Sequence, residues 1–440
     1  MHKLKRTLGL FEAIMYGVGV IVGVGVYSLI GKASAFAGNA TWLAFLLGAF
    51  IAVCTGMSYA ELSSMFPKSS ADYYYITKAF NNRFLAFLVS WLLIFAGLVG
   101  TATVSRGFSG YAKGLSSVNE TVLSILLIIF ISFVVIRGIK ISSALNVLLV
   151  ALTIFGLLIV IGFGIRHFGS VDYFYSPYGL NGILVAAPII FFAFLGFENI
   201  VSIAEETKSP RKNIPRAIIG SIAITTILYI LVSLSIVSLV GWQVLANSDA
   251  PLALAVEKES SIGSFIVTMI ALTATSSTVL GLIIYLSRIV YGIAKEGSLP
   301  KFLALVHPRY KTPWVAIAVI AFFSILFLFF GDMVTTASLA TFSTLTAFIA
   351  VNLAVIWLRR YKISRKFKVP LNVRNFPIPP FLGIVLCSFM LLNVSLEVFK
   401  VGLLIILAGV IYSLILDRIL RWLRVWENLK RALSKISRSF

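Results

Sequence analysis

Apolar runs of roughly 18 or more residues recur along the whole of this chain, each long enough to cross a hydrocarbon core of about 30 Å as a helix. In lipid no water satisfies backbone amides and carbonyls, so such continuous runs must bond within themselves as helices. Twelve spans are expected, at 10–37, 41–65, 84–110, 121–137, 143–165, 180–204, 214–241, 262–294, 314–330, 333–358, 379–396 and 399–417. Hydrophobic residues fill 59% of the 440 positions. Charged residues fill 12%, against about 25% in soluble chains. The expectation is an all-α integral membrane protein that forms one polytopic domain over residues 1–440, with no soluble domain.

Cytoplasmic loops retain Lys and Arg, so the basic residues give orientation. With the N-terminus inside, the cytoplasmic segments hold all but six of the 37 basic residues, the exceptions being Lys32, Arg106, Lys113, Arg166, Lys258 and Lys400. The net charge of +21 then reflects orientation and anionic lipid headgroups at the cytoplasmic face of the plasma membrane, and excludes a nucleic-acid partner. Residues 418–440 place Trp422, Trp426, Leu429 and Leu433 at helical spacing against Arg421, Arg424, Lys430 and Arg431, a basic amphipathic tail for that surface. Arg106, near the outer end of the third span, is expected to snorkel to the interface. The start Met1–Arg6 resembles a signal n-region, but the apolar run behind it reads as the first span. Cys54 and Cys387 fall inside spans, and His2, His167 and His307 are scattered, so neither disulfides nor a metal site is indicated.

Two spans are interrupted at matching places, at Gly23 and Gly25 and, roughly 170 residues later, at Gly196. Shifting the first half by about 172 positions carries spans one, two, three and five onto six, seven, eight and ten. Five spans per unit is odd, so the second copy must be inverted: repeats at 10–168 and 180–358, with two extra helices at 379–417. A helix breaks in hydrocarbon only where protein or a water-filled cavity satisfies the freed groups, so paired breaks mark a buried polar site.

At the first break Gly23 and Gly25 remove side chains, letting a ligand reach the amides, and the positive end of the outer half-helix favours a carboxylate. Gly19 and Gly23 also form a G-x-x-x-G pair that serves close helix packing. A dinucleotide loop is excluded, because no strand precedes the glycines and no acid follows at the required distance. At the second break Phe191, Phe192 and Phe194 beside Gly196 suit a gate as well as ordinary packing. Glu198 decides for function, since an ionisable group inside a span is a functional candidate by default. One break offers donors and the other acceptors, which is what a zwitterion needs.

From Phe191 to Arg216 the chain resembles the amino acid, polyamine and organocation (APC) superfamily, through Phe192, Phe194, Gly196, Phe197, Glu198, Ala204, Glu205, Glu206, Lys208, Pro210, Arg211, Ile214, Pro215 and Arg216. Further matches are the glycine run of the first span, Tyr59–Leu62 with Phe66 and Pro67, and Ser287, Arg288, Tyr291, Ala294, Lys295, Gly297, Leu299, Pro300, Thr312 and Pro313. The resemblance implies alternating-access transport of amino acids or related amines by a leucine-transporter-type fold. Amides near Val22, Gly23, Val24 and Gly25 would then hold the substrate carboxylate, carbonyls near Phe192, Ala193 and Phe194 its ammonium, and Phe192 would be the aromatic gate.

The same resemblance makes Ser276 and Ser277, with carbonyls of Gly19 and Val22, a candidate sodium site. It also places Thr153 where proton-coupled relatives carry a Lys. Thr153 cannot carry a proton, so proton coupling through Glu198 or uncoupled exchange ranks above sodium. Ser70 and Ala71 stand where the family often has Gly-Gly. Glu12, Glu61, Glu205, Glu206, Lys208, Arg211, Arg216 and Arg288 lie at helix ends and suit ion pairing or gating latches. Apolar Val22, Ala193, Phe194 and Leu195 favour neutral amino acids, with cationic ones second. No cofactor beyond a co-transported proton or sodium and no obligatory protein partner is implied. A non-transporting amino acid sensor and a nucleobase carrier remain alternatives, while a membrane enzyme lacks a catalytic constellation within any span.

Overall fold

The computed structural model describes residues 8–68, 71–138 and 143–415. The amphipathic tail at 418–440 and Ser70 of the Ser70–Ala71 pair therefore lie outside the described residues. In chain order the helices are α1 (Leu10–Ile21), α2 (Ile30–Ala37), α3 (Thr41–Met65), α4 (Ala71–Phe80), α5 (Arg83–Ala112), α6 (Glu120–Ile136), α7 (Ser143–Gly164) and α8 (Gly179–Phe191). They continue as α9 (Pro210–Val240), α10 (Trp242–Ala246), α11 (Pro251–Glu257), α12 (Ser261–Lys295), α13 (Trp314–Phe327), α14 (Met333–Leu358), α15 (Ile378–Leu391) and α16 (Leu396–Ile415). A two-residue hairpin, β1 (Asn372–Val373) with β2 (Phe376–Pro377), is the sheet among them.

Among the described residues, 8 helical stretches are long and apolar enough to cross a membrane, and α1, α6, α13 and α15 are shorter apolar helices. One stretch, Gly25–Met65, is longer than any expected span. A π-turn at Gly25–Leu29 leads into α2, and Gly38 at φ 62° turns the chain into α3. Polar side chains start several helices: Asn82, Asn119, Ser260 and Asp332 each accept a backbone amide one turn on. Large apolar side chains face outward, among them Phe130 and Phe133 of α6, Phe322 of α13 and Leu404 of α16. A soluble surface would not tolerate so much exposed hydrocarbon, but lipid does.

The core forms where α3 lies along α9, where α5 is gripped between α12 and α14, and where α1 crosses α7 and α9. Ser58 donates to Asn352 Oδ1 at 2.6 Å and Asn352 donates to Thr55 at 3.1 Å, which binds α3 to α14 through polar atoms sealed from lipid. The Arg106 guanidinium donates to the Leu328 carbonyl at the end of α13.

Two acidic side chains near helix ends are buried with polar partners. Glu61 is fully buried at the end of α3 and is held by Arg359 Nε at 2.8 Å, Arg359 Nη2 at 2.5 Å, Arg365 Nη1 at 2.6 Å and the Val369 amide at 2.8 Å. This knot ties α3 to the end of α14 and to the segment before the hairpin. Nearby Tyr59 donates to Asp72 Oδ1 of α4 at 2.6 Å. Burial pushes the Asp72 carboxyl up to about 6, opposed by that hydrogen bond, which favours the charged form.

Candidate functional site

Two breaks in helices face each other at the centre of the molecule. α1 ends at Ile21; Val22 takes an extended conformation (φ −76°, ψ 100°) and its amide still reaches Val18 O at 2.7 Å. Helix resumes beyond Gly23, so the amides of Gly23, Val24 and Gly25 find no backbone acceptor a turn back and form a small positive end. Glycine is required here by contact: a Cβ on Gly25 would overlap the backbone of Ala193, and one on Gly23 would stand 2.7 Å from Thr278 Oγ1. The second break follows α8, which carries Pro188 inside it. A 3-10 turn at Phe192–Phe194 gives way to extended Leu195 and to Gly196 at φ 122°, and the chain continues as a 3-10 helix at Phe197–Ile203. No L side chain adopts that φ readily, and a Cβ on Gly196 would also lie 2.9 Å from Val20 O.

One side chain joins the two breaks. Tyr229 of α9 is fully buried, and its hydroxyl lies 3.0 Å from Ile21 O and 2.9 Å from Ala193 O, so it bridges the last carbonyl of α1 and a carbonyl of the second break. On the other side Tyr27 donates to Thr153 O at 2.8 Å, and Tyr111 donates to Tyr27 O at 2.5 Å.

Between the breaks, α5 and α12 lies a cavity of about 50 Å³, walled by Val20, Val24, Leu93, Ala96, Gly97, Gly100, Val104, Phe192 and Leu282. Its polar wall carries Glu198, Asn199, Thr278, Tyr285 and Thr344. Among the residues singled out from sequence, Gly23, Val24, Gly25, Phe192, Gly196 and Glu198 line it. Val22, Ala193 and Phe194 do not: the Ala193 carbonyl accepts from Tyr229, and the Phe194 ring packs on Phe45 and Tyr229. The candidate ion residues Gly19, Thr153, Ser276 and Ser277 also lie off the cavity. Gly19 abuts Val150, and the hydroxyls of Thr153 and Ser276 return to their own helices, donating to Leu149 O at 2.9 Å and Leu272 O at 2.7 Å. Thr278, one position beyond the serine pair, is the hydroxyl residue that fronts Gly23.

The sequence profile of the amino acid permease family matches residues 8–416. The chain belongs to that family. As a permease it is a multi-pass membrane transporter and not an enzyme. It is 31% identical over 420 residues to the branched-chain amino acid permease BcaP of Bacillus subtilis (strain 168), covering 89% of each chain. It is 30% identical over 415 residues to the methylthioribose transporter of the same organism, covering 87% of each. It is also 30% identical over 385 residues to the vacuolar cationic amino acid transporter 4 of Arabidopsis thaliana, covering 81% of this chain and 64% of that one.

Sequence reasoning missed Tyr229, Thr278, Asn199 and Tyr285, and the small residues of α5. A signal existed for the tyrosines, because an aromatic ring with a polar end inside an apolar span usually has a hydrogen-bonding task.

Proposed function

We propose that this permease carries neutral L-amino acids across the plasma membrane by alternating access, by proton symport or exchange. The observation that carries the reading is the cavity itself, in which orphan amides at Gly23, Val24 and Gly25 share one space with an apolar wall. Orphan amides at a helix start suit the substrate carboxylate. The wall of Val20, Val24, Leu93, Ala96 and Val104 suits an uncharged side chain. Relatives named for branched-chain and for cationic amino acids support an amino acid as the cargo.

About 50 Å³ holds roughly four waters at about 10–15 Å³ each, too little for a free amino acid, so the walls must part to load one. Alternating access supplies that motion. In the proposed architecture residues 10–168 and 180–358 are inverted five-helix repeats, residues 379–417 add two helices, and both termini are cytoplasmic. The breaks at Gly23–Gly25 and Gly196 occupy equivalent places in the two units, which supports the repeat.

The test is uptake of radiolabelled amino acids into proteoliposomes, with counterflow, under imposed proton and sodium gradients in turn. Accumulation of a neutral amino acid driven by protons, or counterflow without a gradient, is expected. Sodium-driven accumulation would replace the coupling assignment, and binding without flux in tight vesicles would refute transport in favour of a sensor.

A further inference from the structure

Residues 359–377 join the end of α14 to the start of α15, two apolar helices, so this strap begins and ends at the edge of the membrane. It carries seven basic residues and no acidic one. Arg359 and Arg365 turn to Glu61. The other five, Arg360, Lys362, Lys366, Lys368 and Arg374, are exposed, and among the described residues none of them forms an ion pair. A basic loop that only sets orientation during insertion needs no folded shape. This one is folded. Ser64 Oγ donates to Phe367 O at 3.1 Å, the Val369 amide donates to Glu61, Asn372 Nδ2 donates to Val369 O at 2.6 Å, and Arg359 donates to both Glu61 and Asn372. The hairpin turns on Arg374 and Asn375 at φ 47° and 72°, the positive pair that a two-residue connection requires.

The hairpin also shows Leu371 and Val373, 69% and 59% exposed, and the Phe376 ring lies against Phe381 of α15. At the end of α14 the Arg360 guanidinium lies 4.2 Å from the centre of the Trp357 ring, an aromatic placed where headgroups begin. Apolar side chains held beside unpaired cations match the two layers of a leaflet, its acyl boundary and its phosphates. We propose that this strap is a docking surface for anionic phospholipid, with the hairpin's apolar residues at the acyl boundary and the five exposed cations on the phosphates. A soluble anion would leave Leu371 and Val373 in water, so the charge and the hydrocarbon together select a bilayer lipid. The inference uses the proposed cytoplasmic orientation only to name the leaflet and is independent of cargo and coupling. Because the strap also grips Glu61, lipid bound to it braces the ends of α3 and α14 together.

The experiment is quenching of Trp357 in the purified full chain, in phosphatidylcholine nanodiscs that contain increasing amounts of phosphatidylglycerol or phosphatidylcholine brominated on the acyl chains. Subtracting the Trp357→Phe variant isolates the signal of that ring. A basic residue near an anionic surface is worth about fivefold in affinity, and one lipid meets one or two of them. Half-quenching of wild type is therefore expected at a mole fraction about 5- to 25-fold lower for the anionic lipid. The preference should vanish when Lys362→Gln, Lys366→Gln, Lys368→Gln and Arg374→Gln are combined. It should persist when Lys212→Gln, Lys301→Gln, Arg309→Gln and Lys311→Gln remove the same charge from other loops. Equal mole fractions for the two lipids in wild type would overturn the proposal without any charge variant. So would a preference that survives in the strap variant, or one lost to the same extent in both sets.

Discussion

Replacing Glu61 by methionine would leave the guanidinium groups of Arg359 and Arg365 facing each other without the anion between them. The Arg359 side chain is 3% exposed and that of Glu61 0%, so water cannot take over the lost contacts. Breaking a buried pair by removing one partner typically costs about 3–5 kcal/mol, because the remaining charge stays desolvated. Glu61 has two such partners and an amide besides, which argues for the upper end of that range. The contrast within this molecule is Lys113–Glu120, equally short at 2.6 Å but with side chains 62% and 40% exposed, where Lys113→Ala should leave unfolding unchanged. The assay is thermal and denaturant unfolding of the purified protein in detergent micelles, run as a double-mutant cycle. Glu61→Met alone should lose about 3–5 kcal/mol, and adding Arg359→Met should restore at least half, since an apolar pair of similar volume needs no counter-charge. Arg365, 15% exposed, can then turn outward. A loss below about 1 kcal/mol in the single variant, the range of surface pairs, would refute the reasoning.

Gly25→Ala should separate the two breaks and weaken amino acid binding by about 5- to 150-fold, because overpacking a closed contact costs about 1–3 kcal/mol; equal affinity in both proteins would show that this close approach is not needed. Tyr229→Phe strips one hydroxyl from two buried carbonyls, and the expected cost of about 1–3 kcal/mol should appear as lower thermal stability and weaker binding together. For Asp72 burial raises the folded-state value from 3.8 to about 6, so the protonated acid favours the fold. Its contribution is complete below about pH 4 and is lost as pH rises through about 6, and Asp72→Asn should flatten that part of the unfolding curve. Glu198→Gln should flatten the pH dependence of uptake between about pH 5 and 8, and an unchanged profile would move proton coupling to another group.

The helices were legible because apolar runs of membrane length admit few other structures. Their interruptions were legible because glycine is the residue such a site tolerates. Long-range partners were not. Glu61 stood out as a helix-end charge, but nothing in local sequence joins it to Arg359 and Arg365, some 300 residues on. The resemblance singled out Ser276 and Ser277 of α12 as candidate cation ligands and passed over Thr278, which faces Gly23; one helical position turns a side chain by about 100°, so adjacent hydroxyl residues meet different neighbours. Ala193 was expected to offer its carbonyl to a ligand, and that carbonyl instead accepts from the Tyr229 hydroxyl, while the 3-10 turn engages the Phe192 carbonyl through the Leu195 amide.

Tyr229 sits as a rivet through both discontinuous helices. Because one hydroxyl holds Ile21 O and Ala193 O at once, neither half can pivot alone without tearing that fastening, and Gly25 pressed against Ala193 leaves no slack for sliding. The two breaks then travel as one piece with α9, and relative movement is displaced to the seam they share with α5 and α12. That seam is where the cavity lies. A spectroscopic ruler placed across it, and not across the paired breaks, is the one that should change length with each turnover.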